Sequence, residues 1–221
     1  MPSLSNTYVF DPAYRIDFHL GRCRGMSHRT VYFEWGVEGL VHFLAADSET
    51  AIDTANFGTD QVAWMDKLLA AADTDRPTTP WSAVHFHRPL YCSNDGECDA
   101  PDGMAQVLRS QAEAMLDDRH VALIFGGHIH SYERSYPMAQ WNATQLNYDA
   151  PNAPVYVVQG SSGNRESNSG FPTNPPAWSA ARSSNIGFGL LQASTTSLHF
   201  QFFTADASNG PQLTDEFTIT K

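Results

Sequence analysis

Val121-Ala122-Leu123-Ile124-Phe125-Gly126-Gly127-His128-Ile129-His130-Ser131-Tyr132-Glu133-Arg134 is the stretch that decides how the rest of the chain is read. Its first five residues are a continuous apolar run, the signature of a strand covered on both faces of a sheet. Two glycines then let the backbone turn tightly at the strand's carboxyl edge, where open α/β sheets place ligands. Two histidines follow, one residue apart. Neutral imidazole is a good ligand for zinc, iron and related ions. In isolation a His-x-His is more simply a pair of surface histidines.

Outward from this stretch the chain alternates. A helix is predicted from Met104 to Leu116, with Val107, Leu108, Ala112 and Met115 along one face. Before it, Trp81-Ser82-Ala83-Val84-His85-Phe86 reads as a compact strand that stops at Pro89. Strand, helix and strand at this spacing predict a right-handed crossover between parallel neighbours. The earlier strand also ends in histidines, His85-Phe86-His87. Two neighbouring strands ending in histidines on one sheet edge are hard to ascribe to packing. An unpaired buried polar group costs roughly 1–3 kcal/mol, and a shared metal would account for both segments.

Further out, Val31 to Trp35 and Leu40 to Leu44 predict a hairpin, and Thr59 or Asp60 is expected to cap a helix reaching about Ala72. Residues 1–29 read as irregular, Val155 to Gln159 as a buried strand, and 160–185 as a long loop. From about 186 to 221 alternation takes over, with Leu198, Phe200 and Phe202 on one face, predicting an antiparallel meander. The expected fold class is α/β, a mixed β-sheet sandwich flanked by helices. Nothing breaks the chain, so 1–221 is expected to be a single domain.

Composition narrows the function. The 221 residues carry 24 Asp and Glu against 13 Lys and Arg, a formal net charge of -11. That balance argues against nucleic acid as a partner, because phosphate backbones attract clustered cations. No apolar run approaches the roughly 18 residues that span a bilayer, so no membrane partner is expected. Charged residues are 17% and apolar residues 42%, which excludes disorder driven by charge. Cys92 and Cys98 flank a short loop and either close a small disulfide or stay reduced. Asn142-Ala143-Thr144 is a glycosylation sequon, meaningful in a secreted chain. Met1 to Phe10, without a charged start followed by an apolar run, is not expected to be a signal peptide.

His87-Arg88-Pro89-Leu90-Tyr91-Cys92-Ser93-Asn94, the block from Gly126 to Pro137, and Pro176-Ala177-Trp178-Ser179-Ala180-Ala181-Arg182 together resemble the later motif blocks of the purple acid phosphatases. These enzymes belong to the calcineurin-like metallophosphoesterase superfamily. The similarity runs from about Tyr14 to the C-terminus and includes Leu40 to Leu44 leading to Ser48-Glu49, and the Gly160-Ser161-Ser162-Gly163 loop. The resemblance implies the later half of a metallophosphoesterase fold. It also implies hydrolysis of small phosphate monoesters at acid pH by a dinuclear centre, iron with zinc, manganese or a second iron. By the same resemblance His87 and His128 bind the divalent ion and His130 the iron. His85, where relatives often have glycine, is a neighbour rather than a ligand. Location would be secreted or lysosomal/vacuolar.

Of the family's three earlier blocks, a Gly-Asp-x-x-Tyr and a Gly-Asn-His are not found in the sequence, and Asn94-Asp95-Gly96 does not substitute for the block with an Asp followed by Gly. They supply the bridging and terminal aspartates, a tyrosine, an asparagine and a proton-donating histidine. Three imidazoles without a bridging carboxylate cannot hold two ions tightly. The chain is therefore expected to represent an N-terminally truncated phosphatase, inactive alone, with apolar surface left open. The alternative is a degenerate, non-catalytic phosphatase-like binding module, and a mononuclear zinc hydrolase is a third possibility. Glu133 and Arg134 are expected to brace the loop, Arg165 and Arg182 have no assigned place, and His19, His28, His42, His120 and His199 are expected to be bystanders.

Overall fold

The computed structural model describes residues 16–22, 31–37, 39–49, 58–94, 98–99, 103–163, 167–205 and 208–221. Strands β1 (Ile16–Arg22), β2 (Val31–Val37) and β3 (Val41–Ala45) run antiparallel, each paired with the next. The expected hairpin is β2 with β3. β1 lies within the part read as irregular, and pairing with β2 gives it a strand's register where its own pattern did not.

β4 (Trp81–His85), β5 (Leu123–Gly126) and β9 (Val155–Gln159) continue from β3 as a parallel centre. β6 (Tyr132–Ser135) and β10 (Ser179–Ser183) complete the far side antiparallel, so the large sheet has the order β1-β2-β3-β4-β5-β9-β6-β10. β7 (Met138–Ala139) and β8 (Asn142–Ala143) form a small hairpin of their own. The meander is β11 (Gly187–Ala193), β12 (Ser197–Thr204) and β13 (Gln212–Thr220), a separate three-stranded sheet. β10 falls inside the expected loop of 160–185; partners on β6, not its own Ser-rich sequence, hold it extended.

Helix α1 (Thr59–Asp75) buries Gln61, Met65, Leu69 and Ala72, one face at helical spacing. It starts under Gly58, whose φ of 97° is accessible to glycine, with no side-chain cap, rather than under Thr59 or Asp60. The second helical stretch is not one regular helix. α2 (Met104–Leu108) passes through a π turn (Arg109–Glu113) into α3 (Ala114–Asp118). The wider turn moves the buried set to Ala105, Leu108, Ala112 and Leu116, leaving Val107 and Met115 only half-buried.

Helices pack on one face of the large sheet, where Met65, Leu69, Leu108 and Leu116 meet Val84, Phe86, Ile124 and Tyr156. On the other face Leu198, Phe200, Phe202, Phe217 and Ile219 of the small sheet meet Phe43, Phe125, Tyr132 and Val157. This is the expected mixed sandwich. The expected open apolar face is not found among the described residues, whose exposed large apolar side chains are the scattered Leu146, Ile186 and Leu213. The small sheet supplies the cover.

Candidate metal centre

β4 and β5 are adjacent and parallel, with His85 opposite Phe125, so their carboxyl ends open on the same edge. Two close approaches lock those ends together. A Cβ on Gly126 would stand 2.7 Å from the Cα of Pro89, and one on Gly160 would stand 2.1 Å from the carbonyl oxygen of Ile129. Glycine is thus required where the first strand's exit passes the second, and where the loop after β9 passes under the histidine turn. His128 itself holds a φ of 60°, a left-handed backbone uncommon outside glycine.

The result is that His128 Nδ1 lies 3.2 Å from His87 Nε2, with the two rings edge to face at a centroid separation of 5.1 Å. Arg88 Nη1 stands 2.8 Å from His128 Nε2. A guanidinium can only donate, so Nε2 accepts and Nδ1 carries the proton toward His87. Arg88 is held in turn by Glu49 Oε1 at 3.0 Å, and its backbone N–H donates to Ser48 Oγ at 2.9 Å. Glu49's own N–H donates to Asp47 Oδ1 at 2.8 Å. A relay of Asp47, Glu49, Arg88, His128 and His87 therefore spans the edge.

Burial holds the His87 imidazolium unfavourable and lowers its pKa, with Glu49 pulling the other way and His128 and Arg88 adding to the depression. His85 sits deeper, and burial followed by the neighbouring His87 brings it down to about 4. Both are neutral at pH 7, the form that offers a lone pair. His130 lies two residues along the turn from His128, half-buried, its carbonyl accepting from Ser169 N–H at 2.9 Å.

Imidazole nitrogens facing each other suit an ion of the zinc or iron type. Among the described residues, however, no three His, Cys, Asp or Glu side chains converge on one point. The described residues bring His87 and His128 together and do not by themselves fit a two-metal centre.

The rest of the edge is bracing. Glu133 is buried and accepts from Ser93 N–H at 2.8 Å, from Ser93 Oγ at 2.5 Å and from Ser179 Oγ. Burial raises its pKa, and those donors partly restore the charged form. Arg134 makes a two-pronged pair with Asp215, at 2.8 and 2.9 Å. Arg182 donates to Ser179. Cys92 and Cys98 are joined as a disulfide, closing the loop that carries Ser93 and Asn94. His199 pairs with Thr218 and His120 lies exposed at the end of α3. His28 and Arg165 lie outside the described residues. Arg88 and Glu49 were not anticipated as partners of the histidines; their only local signal is that Arg88 directly follows His87.

Two family models match the chain: Calcineurin-like phosphoesterase over residues 9–132, and Iron/zinc purple acid phosphatase-like protein C over residues 153–216. Acid phosphatase type 7 of Danio rerio is 28% identical over 86% of this chain and 47% of its own length. Purple acid phosphatase 22 of Arabidopsis thaliana is 30% identical over 81% of this chain and 38% of its own. The purple acid phosphatase PPD1 of yellow lupin superposes with a TM-score of 0.72 at 26% identity, covering 86% of this chain and 33% of that one. The chain thus spans less than half the length of these relatives. The histidine edge, the two-sheet sandwich and both matched models agree: the chain belongs to the calcineurin-like phosphoesterases, in their purple acid phosphatase branch.

Proposed function

We propose that the chain serves in metal-dependent hydrolysis of small phosphate monoesters at acid pH. His87, His128 and His130 are its contribution to a dinuclear centre of iron with zinc, manganese or a second iron. The observation that carries this reading is the 3.2 Å approach of His128 Nδ1 to His87 Nε2 at the carboxyl edge of a parallel sheet. Ions held by these histidines would polarise the phosphate and supply a nucleophile from water. The chain's own residues orient this edge: Glu49 holds Arg88, Arg88 fixes the His128 ring, and the glycines at 126 and 160 fix the turn.

Because the described residues offer no bridging carboxylate, the chain alone is proposed to be inactive or nearly so. The disulfide and the exposed Asn142 of the sequon fit a secreted, lysosomal or vacuolar setting. One observation favours a second reading, a non-catalytic phosphatase-like binding module: a guanidinium already occupies His128 Nε2.

The test is turnover of 4-nitrophenyl phosphate at acid pH, with iron and zinc supplied, by two proteins. One is this chain; the other is this chain fused to the part of the Danio rerio relative that lies outside the match. Turnover in the fusion, abolished by His128→Ala, is the expected result. Robust turnover by the chain alone would refute the missing-carboxylate argument. A folded fusion that binds metal and hydrolyses nothing would favour the binding module.

A further inference from the structure

A cavity of about 720 Å³ opens beside the histidine turn, lined among others by Ser93, Asn94, Asp99, Trp141, Phe171 and Trp178. Two contacts tie it to the turn. Asn94 Nδ2 donates to Ser131 Oγ at 2.8 Å, and Ser169 N–H donates to the carbonyl of His130, one residue before the cavity-lining Gly170. The cavity wall thus joins the turn at Ser131 through Asn94, and at His130 through Ser169, the neighbour of Gly170.

Its aromatic surfaces are assembled in advance. The rings of Trp141 and Trp178 have centroids 5.9 Å apart, and Tyr91 meets Trp141 edge to face at 4.7 Å. Arg109 lies 4.6 Å over Trp141. The π turn explains why these groups hold still. Its extra width directs Arg109 to the carbonyl of Leu90, while Glu113 accepts from the Tyr91 hydroxyl and from Gln140 N–H at 2.8 Å. A flat ligand would therefore stack without ordering these side chains first, which removes part of the cost of binding. Among the described residues Asp99 supplies the one charge on the cavity wall, and it is negative. Together with a net charge of -11, it disfavours a second anionic group.

The geometry points to this cavity as the subsite for the leaving group of the ester, and to an uncharged planar ring as what it takes: an aryl rather than an alkyl phosphate. The proposal rests on the phosphatase reading for its role in a reaction, and on the cavity alone for its ligand. Asn94 and Ser169 tie these walls to the His130 end of the histidine turn.

The binding arm uses no catalysis. Phenol, cyclohexanol and benzoate are titrated into the chain while the indole N–H resonances are followed by NMR. Phenol is expected to shift the Trp141 and Trp178 signals. Cyclohexanol, which is not flat, and benzoate, which is charged, are each expected to bind about fivefold or more weaker. Phe171→Ala, at a half-buried rim position, is expected to weaken phenol by a similar factor, and Asp99→Asn to bring benzoate closer to phenol. Equal binding of phenol and cyclohexanol, or shifts confined to Trp64 and Trp81, would overturn the assignment. The catalytic arm compares phenyl phosphate with glycerol phosphate in the fusion. A preference for the aryl ester that Phe171→Ala lowers through KM rather than kcat is expected. Ring binding without hydrolysis would sink the phosphatase reading and leave the cavity's ligand class standing. Hydrolysis with no preference between the two esters would do the reverse.

Discussion

The block from His128 to Ser135 contains two neighbourhoods built on opposite terms. His128 and His130 are half-buried, and His128 sits in a strained left-handed backbone, with its ring held by another imidazole and a guanidinium. Tyr132 to Ser135 are buried throughout, and each polar group there has a partner. Tyr132 gives its hydroxyl to Asp215 at 2.6 Å, and Arg134 takes both oxygens of that carboxylate. The Tyr132 ring stacks on Phe202 at 3.9 Å, and Arg134 lies over Tyr148 and Phe217. The second neighbourhood fastens the two sheets; the first presents its imidazoles at the sheet edge. Stability and reactivity have been separated within eight residues of chain.

Alkaline pH should have the largest effect, acting on the fastened seam through Tyr132 and Tyr148 and on the helix-covered core through Tyr91 and Tyr156. Tyr91, Tyr132, Tyr148 and Tyr156 all have pKa values raised first by burial, Tyr148 to about 12. An acid whose folded-state pKa lies above its unfolded value loses stability as pH rises through the unfolded value, here about 10. Four such groups give a slope of about 5 kcal/mol per pH unit above pH 10, as an upper bound. Absorbance at 295 nm should then show only part of the eight tyrosines ionising before cooperative unfolding. Smooth titration of all of them in the folded protein would show that the seam is not closed to water.

Next in size is Asp215→Ala. It leaves the buried Arg134 without its counter-ion, a class of change that costs about 3–5 kcal/mol. Urea unfolding measures the loss directly. Asp215→Asn keeps the shape and one acceptor and should cost less. The chemical environment of His87 and His128, read from their imidazole resonances, should change little in either variant that folds. A large movement there would mean the two neighbourhoods are mechanically coupled.

These differences also set what the sequence could disclose. The parallel strands, the meander and the histidine turn are legible because their signals are local: apolar runs, alternation, and glycines beside histidines. β6 is not, since Tyr132-Glu133-Arg134-Ser135 reads as polar until Asp215, eighty-one positions away, and Ser93 and Ser179 supply the partners that let it be buried. The π turn escaped because a regular 3.6-residue period was imposed on Val107 and Met115. Arg88 was legible as part of a motif, but its grip on His128 depends on Glu49, which arrives through another strand. Cys92 and Cys98 stood at a spacing compatible with a bridge, which the fold closes.

Gly160→Ala tests the junction between the neighbourhoods with an intermediate effect. Its Cβ would collide with the Ile129 carbonyl, so either the loop after β9 or the histidine turn must move. Overpacking of this kind costs about 1–3 kcal/mol. Since the turn is already strained at His128 while the strand side is pinned by Glu133 and Arg134, the turn is expected to yield. The coupling between the His87 and His128 rings should be lost, with β6 intact by amide exchange. Protection lost first in β6 would reverse the assignment of which side is rigid.

His87→Ala should have the smallest effect on stability and the largest on ligand chemistry. The side chain is partly open to solvent and meets the His128 ring edge to face, so urea unfolding should place the variant within about 0.5 kcal/mol of the parent. His128 would keep its hydrogen bond from Arg88 and could turn its Nδ1–H to water. Zinc affinity, measured by competition with a chromophoric chelator, should nevertheless fall about tenfold or more, because one of two facing donors is gone. Arg88→Ala makes the complementary change: it frees His128 Nε2 while removing the group that orients the ring. If orientation governs the site, zinc binding weakens in that variant as well; if the guanidinium merely blocks the nitrogen, zinc binding strengthens, and the edge is held shut by Arg88 rather than prepared by it.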